Sequence, residues 1–480
     1  KKTEFVKDIY IAGSSKEDGK ENELIQVQKP REILLKKWPE IDLIIFIGSI
    51  AASIRIINPF LTSKDQDPGV IVIDNKCSKI VPLIGLHQSN TQNISCQIAN
   101  LLGGEIIETN NSNDQSLLNL DAFGNQWGWK RSGKINDWSK LVIKQAKNEE
   151  IFCKQLSGNS LWKTSESAEI INQIDKKETE KPDSTFHVSI FENHGTTWHP
   201  PVLWIGIGCE RNTSKELIAN SLNNLLESGN LSQQSIAGFA TIDIKKDEKG
   251  ILELSEEKNL PIKFFSKKDL STIIVPNPSN VVQKEIGTPS VAEASCLLAA
   301  GEESKLLEEK RIFKNQSGAV TIAVAESKNQ YNPTHGEIHI IGSGPGDISF
   351  LTNNARKALS RCTVWIGYKM YLDLIKPLKR NDQVLIESKL TEEKERCSKA
   401  IKLAEEGIKV ALISSGESGF YGMAGLLLEL LQKIKKEYRP YFEVHPGISS
   451  VQLAAAISGA PLMNDFCSVS LSDKLTPWSL

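Results

Sequence analysis

The sequence predicts a multidomain α/β protein. Apolar strands run repeatedly into turns rich in Gly, Ser or Pro and then into small-residue helices, the order of units that bind ligands at their strand ends. A length of 480 residues fits about three to four domains. A hydrophobic share of 40% and a charged share of 24% are those of an ordinary globular chain.

The elements follow in order. IDLIIFIGSI (Ile41–Ile50) reads as a strand, followed by AASIRIINPFL, by KDQDPGVIVIDNKCSKIVPLIGLHQ and by an amphipathic stretch ending near Leu102. Together these make a small α/β unit over 1–110. The next stretch, 111–200, reads as a polar middle region and linker: it carries the Trp-rich WGWKRSGKINDW and drifts into the charged run IDKKETEKPDS, a solvated linker or extended face. A second α/β unit over 201–327 opens with PVLWIGIGCERNTSKELIANSLNNLL, where a strand, a turn at Gly206-Ile207-Gly208-Cys209 and a helix are expected in succession. It continues through ATIDIKKDEKG, PNPS and GTPSVAEA to VTIAVAES. KNQYNPTHG (328–336), polar and proline-bearing, reads as a linker into a last unit over 337–480.

That last unit opens on GEIHIIGSGPGD (336–347), a strand of alternating Ile and polar residues that runs into a turn of three glycines and a proline. Gly342, Gly344 and Gly346 let a ligand approach the backbone, and Asp347 sits where a helix near Leu351 can start. A dinucleotide fingerprint needs glycine at 347, where a carboxylate would repel a pyrophosphate. An ordinary tight turn is the plainer reading. Two further strand–turn–helix segments, Val410–Gly425 and Val444–Leu462, place two more small-residue turns at the same cleft.

Composition excludes several function classes. A formal net charge of −2 offers no bulk attraction to nucleic acid or to a membrane surface, so an anionic substrate must meet local cations. The eight cysteines (Cys77, Cys96, Cys153, Cys209, Cys296, Cys362, Cys397, Cys467) are spread singly, against a zinc site or disulfide framework, and no protein-bound metal is expected. No apolar run reaches the roughly 18–20 residues that span a bilayer, and no signal-peptide pattern opens the chain, so the expected compartment is the cytoplasm. Whether the chain forms a homodimer is left open.

The last unit resembles the tetrapyrrole (precorrin) methylase family, most closely its precorrin-3B C(17)-methyltransferases. The matching turns are Gly342–Asp347, Ser414–Ala424 and Pro446–Ser450, with Glu417 and Ser418 where the family usually has Asp-Pro. The resemblance implies S-adenosyl-L-methionine as methyl donor and a tetrapyrrole or corrinoid substrate whose cobalt belongs to the substrate. It implies cofactor contacts from Gly342, Gly344, Pro345, Gly346, Ser415, Gly416, Gly419, Tyr421, Gly422, Pro446, Gly447 and Ser449, with Asp347 a candidate for the chemistry. In that family the stretch LSDKLTPWSL opens a second lobe, so an incomplete first lobe is expected over 337–480; Lys1 is likewise no initiator.

The two preceding α/β units resemble the cobalt-precorrin-5A hydrolase family. Gly48, Arg55, Lys64, Asp67, Pro68, Val70 and His87 match its N-terminal part, though Gln88, Ser89, Asn90 and Thr91 replace the usual pair of glycines. GIGCERNT, ATIDIKKDEKG, PNPS and GTPSVAEA match its C-terminal part in order. The fold expected is therefore two small α/β domains of the hydrolase family followed by the first α/β lobe of a tetrapyrrole methylase. The family opens a δ-lactone and releases acetaldehyde, which needs a base for water, a donor for the oxyanion and cations for the substrate carboxylates. His87 is the candidate base or a structural histidine. Arg55 is a carboxylate-binding cation or a partner of Asp65 or Asp67. Glu293 is a carboxylate buried for function or exposed for solubility. Lys245, Lys246, Asp247 and Glu248 form a functional cluster or a solvated hairpin, and Cys209 is a candidate nucleophile beside a helix start. The implied enzyme is bifunctional, with a non-catalytic, corrinoid-binding hydrolase half as the alternative.

Overall fold

The computed structural model describes residues 9–12, 24–27, 30–62, 67–85, 91–107, 117–174, 182–192, 195–316, 318–463 and 465–469. The chain divides into a unit over 1–114 and a larger one over 115–480. Among the described residues no helix is long and apolar enough to cross a membrane.

In the first unit, four strands lie in the order Leu43–Ile47, Gly69–Ile73, Lys79–Ile84, Glu105–Ile106. Gly69–Ile73 is buried along its whole length, and its sequence, GVIVI, is accordingly apolar without alternation. Asp74 closes the following hairpin by accepting from the backbone N–H groups of Ser78 (2.6 Å) and Lys79 (2.8 Å). Helix Ile50–Ile57 starts at Ser49, whose hydroxyl accepts from the Ala52 N–H at 3.2 Å. Strands Ile9–Ala12 and Leu24–Val27 pair separately, in parallel.

Among its described residues the larger unit holds three five-stranded sheets. The first falls in the stretch read from sequence as a polar middle region and linker. It runs Lys130–Ser132, Thr197–His199, Thr185–Val188, Ile151–Gln155, Ile171–Gln173. Its strands are too short to show a period, and what holds them is an aromatic cluster. Phe123 lies 5.1–5.8 Å from the rings of Trp129, Trp162, Phe186 and Trp198. Most of the charged run, residues 175–181, lies outside the described residues.

The second sheet runs Ile262–Phe265, Ile236–Ile242, Leu203–Cys209, Gly318–Glu326, Lys305–Asn315. Here the expected turn at 206–209 is corrected: Gly206 to Cys209 continue the strand, paired with Ala323 to Val320. The glycine serves packing instead, because a Cβ at Gly206 would overlap the Ala292 carbonyl of helix Ala292–Ala300. The chain turns only at Glu210–Ser214, where Ser214 caps helix Lys215–Ser228. That turn is tied to the one after Ile242 by Glu248, which accepts from the Asn212 N–H at 2.7 Å and pairs with Lys245 at 3.0 Å. Lys245 and Glu248 are both buried, so the strand-end charges form an internal clamp, with Lys246 and Asp247 exposed.

The third sheet is wholly parallel, in the order Val384–Ser388, Val364–Tyr368, Lys409–Ser414, Glu337–Gly342, Tyr441–His445. One face packs on helices Glu393–Glu405 and Ala424–Gln432, and its core (Ile338, Ile340, Leu412, Leu427) is continuous with the aromatic cluster of the first sheet. The segment 328–336, read from sequence as a linker, crosses this junction. Gln330 is buried: its amide donates to the carbonyls of Trp127 and Glu406 (2.7 Å each), and its oxygen accepts from the Trp129 indole at 2.8 Å. Beside it, Lys263 lies 4.2 Å and 4.4 Å from the rings of Trp204 and Tyr331, and burial pushes its pKa down to about 8.

These contacts set the stability of three variants. Gln330→Leu strands a buried indole N–H and two buried carbonyls and should cost about 2–3 kcal/mol, read as a lowered urea midpoint by circular dichroism. Glu248→Gln leaves Lys245 buried without its counter-charge and should cost about 3–5 kcal/mol. Arg211→Gln, removing the solvent-screened ion pair with Asp247, should move the midpoint far less than Glu248→Gln in the same assay.

Candidate functional site

Strands Lys409–Ser414, Glu337–Gly342 and Tyr441–His445 are neighbours and parallel, so the turns that follow them emerge at one end of the sheet. The turns meet backbone to backbone. The Gly344 N–H donates to the Gly416 carbonyl at 3.1 Å, the Gly416 N–H donates back at 2.9 Å, and the Ser343 N–H donates to the Ser414 carbonyl at 2.9 Å. A Cβ on Gly342 would sit 2.5 Å from the Gly447 nitrogen, and one on Gly447 would overlap the Gly416 carbonyl oxygen. Gly342 and Gly447 are thus glycines because main chains touch there, whereas a Cβ on Gly416 would have room and its φ of +60° is what favours glycine. Gly344 has φ +78°, whereas Gly346, at φ +132°, has open space where a side chain would stand.

The outer parts of the turns are held by local caps. Asp347 is exposed and caps the short helix Ile348–Phe350, accepting from the Ser349 N–H at 2.7 Å. The Ser349 side chain and N–H hold its pKa below the ordinary value, so the structure uses this carboxylate as a cap in its ionised form. Glu417 accepts from the Gly419 N–H at 2.7 Å, so a hydrogen bond restrains the turn where the family's proline would. A Cβ on Gly422 would overlap the carbonyl of the buried Ser418. Tyr421 takes φ +57°, an uncommon conformation for an aromatic residue, and its hydroxyl donates to the Ser468 carbonyl at 3.0 Å. Ser415 and Pro446 are exposed, and Pro345 is half-buried. Ser449 forms a capping box with Gln452 at the start of helix Ser450–Ile457.

The remaining candidates lie apart from these turns. Glu293, on helix Ala292–Ala300 beside the second sheet, is fully buried. One oxygen accepts from Asn277 Nδ2 at 3.0 Å and from the Lys310 N–H at 3.2 Å, and the other has no protein partner. Burial raises the Cys209 thiol to about 11 against the opposing pull of Lys245, which removes the thiolate a nucleophile needs. In the first unit Arg55 is exposed on its helix, and its carbonyl accepts from Arg31 at 2.6 Å. Asp67 is engaged by the Thr62 N–H (2.9 Å) and hydroxyl (3.0 Å), and Gly48 has φ +150°. His87, Lys64 and Asp65 lie outside the described residues.

Sequence reasoning missed a polar group inside the third sheet. His339 Nδ1 lies 2.9 Å from His445 Nε2, and His339 Nε2 lies 2.8 Å from a Glu337 oxygen. Against the cost of burial, the bond from His339 and the Lys409 ammonium hold the Glu337 carboxyl down at about 2. The legible signal was a repeated Glu-x-His, at 337–339 and again at 443–445.

Three family models match separate stretches of the chain. Residues 32–113 match the family model described as Cobalamin synthesis G N-terminal, 203–325 match Cobalamin synthesis G C-terminus, and 337–479 match Tetrapyrrole (Corrin/Porphyrin) Methylases. A cobalt-factor III methyltransferase of Priestia megaterium is 48% identical over 147 residues, 30% of this chain and 27% of that protein. A cobalt-precorrin-5A hydrolase of the same organism is 28% identical over 344 residues, 66% of this chain and 88% of that protein. A probable cobalt-factor III C(17)-methyltransferase of Salmonella typhimurium is 47% identical over 141 residues, 29% of this chain and 57% of that protein. The chain therefore spans about a quarter and just over half of these two methyltransferases. In one polypeptide, then, matches to Cobalamin synthesis G N-terminal and Cobalamin synthesis G C-terminus precede a match to Tetrapyrrole (Corrin/Porphyrin) Methylases.

Proposed function

We propose that the chain is a bifunctional enzyme of corrin-ring biosynthesis. Its first part hydrolyses the lactone of cobalt-precorrin-5A with release of acetaldehyde. Its last part takes part in S-adenosyl-L-methionine-dependent C(17) methylation and ring contraction of precorrin-3B or cobalt-precorrin-3. The observation that carries the methyl-transfer reading is the junction of three glycine turns at the ends of adjacent parallel strands, with the open position at Gly346 and the exposed Ser415 beside it.

Bound there, the cofactor supplies a methyl group on an electrophilic sulfonium. The chain's own work is alignment and exclusion of water. Gly344, Pro345 and Gly346 bring the main chain close to the cofactor. Ser415, Gly416, Gly419, Tyr421 and Gly422 form a second wall, and Pro446, Gly447 and Ser449 a third. Asp347 acts by capping the first turn. In the hydrolase part, His87 deprotonates the attacking water, Arg55 pairs with a peripheral carboxylate, and Glu293, with one oxygen free of protein partners, accepts a hydrogen bond from substrate or water. The clamping of Lys245 by Glu248 and the raised Cys209 thiol favour the second reading, a corrinoid-binding module without catalysis.

Gly344→Val forces a branched side chain into a left-handed backbone and breaks the pairing with Gly416. It should abolish calorimetric binding of S-adenosylhomocysteine while lactone hydrolysis continues; unchanged affinity would place the cofactor elsewhere. With cobalt-precorrin-5A, the intact chain should release acetaldehyde, chelator should leave that rate unaltered, and His87→Ala should lower it by about 10²–10⁴-fold. No acetaldehyde from the wild-type chain would favour the binding-module reading.

A further inference from the structure

Two neighbouring strands of the third sheet carry the same tripeptide pattern, Glu337-Ile338-His339 and Glu443-Val444-His445. The strands are parallel and staggered so that His339 stands opposite Glu443 and Ile341 opposite His445. Residues two apart share a face of a strand, so the polar groups of both patterns gather on one face of the sheet. We propose that His339, Glu443 and His445 bind a divalent first-row transition ion, zinc by preference.

The geometry is that of a ligand set. His339 Nδ1 and His445 Nε2 are 2.9 Å apart, and the Glu443 oxygen lies 3.9 Å from the first and 3.8 Å from the second. The point equidistant from these three atoms is about 2.1 Å from each, the length of a zinc bond to imidazole or carboxylate. A hydrogen bond between the two rings accounts for the 2.9 Å contact alone; it leaves the Glu443 oxygen, which accepts a long bond from the Tyr441 hydroxyl at 3.4 Å, facing both nitrogens beyond hydrogen-bond range. The outer contacts match as well. His339 Nε2 faces Glu337 at 2.8 Å, and Glu337 is fixed in turn by Lys409 at 2.6 Å. With its Nε2 proton given to Glu337, His339 presents the Nδ1 lone pair to the site, the carboxylate–histidine–metal arrangement of bound imidazoles. Arg361 lies 3.7 Å from the same Glu337 oxygen, so that carboxylate takes up both nearby cations.

Two imidazoles and a carboxylate suit zinc, and also cobalt, nickel or copper. The side chains of His339 and His445 are 1% and 8% exposed and that of Glu443 is 47%, so the ion is reached from solvent on the Glu443 side. Bound there, it tethers the edge strand Tyr441–His445, and with it the Pro446–Ser449 turn, to the strand that leads into Gly342–Gly346.

The test uses the full chain, stripped with chelator and dialysed. Titration with zinc chloride should show one tight equivalent per chain, cobalt(II) in its place should give visible d–d absorption, and zinc X-ray absorption should show two imidazole ligands. Glu443→Gln, at an exposed position that leaves the fold intact, should weaken zinc at least about tenfold, and His445→Gln should abolish the tight equivalent. Zinc should raise the melting temperature of the wild type and not that of His445→Gln. Absence of a tight equivalent, or one that survives both substitutions, overturns the proposal and leaves the cluster as a set of hydrogen bonds within the protein.

Discussion

One buried amide fixes how the larger unit is assembled. Gln330 uses both of its protons and its oxygen on groups from two different sheets' surroundings, in a place from which water is excluded. In such a place each bond is strong and each missing bond is costly, so the segment around it has one position. Its neighbours confirm the register: the Asn332 N–H donates to the Glu405 carbonyl at 2.8 Å, His335 contacts the Gly407 carbonyl at 2.6 Å, and a Cβ on Gly336 would overlap the Ala404 carbonyl. The strand that carries the glycine turn therefore starts from a fixed point rather than from a loose tether.

Much of the turn-bearing end of the third sheet was legible because its causes are local. A strand, a glycine turn and a helix start are written within about a dozen residues, and the third sheet displays three such runs, two of them with a side-chain cap at the helix start. The middle sheet was not legible for the opposite reason. Its strands are three to five residues long, and its core is made by Phe123, Trp129, Trp162, Phe186 and Trp198, whose spacing follows neither the helix nor the strand period. Trp127, Trp129 and Trp138 stood in plain view but were surrounded by polar residues, so the stretch looked solvated. Gly206 misled differently. A glycine at a strand end suggests a turn, and only the approach of the 292–300 helix shows that it clears space.

Charged residues divided along similar lines. Lys245 and Glu248 look like a solvated hairpin when read in order, yet they are the buried pair that ties two turns together. The partners of Glu293 come from 16 and 17 residues away in sequence, one in a loop and one on a strand, so neither its burial nor its unused oxygen can be read from its own helix. His339 and His445 lie 106 residues apart, and strand order alone makes them neighbours. In each case the missing information was topology: which strand lies beside which, and in what register.

The core shared by the middle sheet and the methylase-like sheet bears on how such a chain came to be joined. The family models end at 113, resume at 203 and again at 337, which suggests interchangeable cassettes. Physically they are not interchangeable. The helices over the 337–342 strand use the aromatic cluster of 118–198 as their cover, so a recombination crossover near 336 that imported a methylase from elsewhere would inherit a bare apolar flank. Because the two share one close-packed core, a change of side-chain volume on either side is felt by the other.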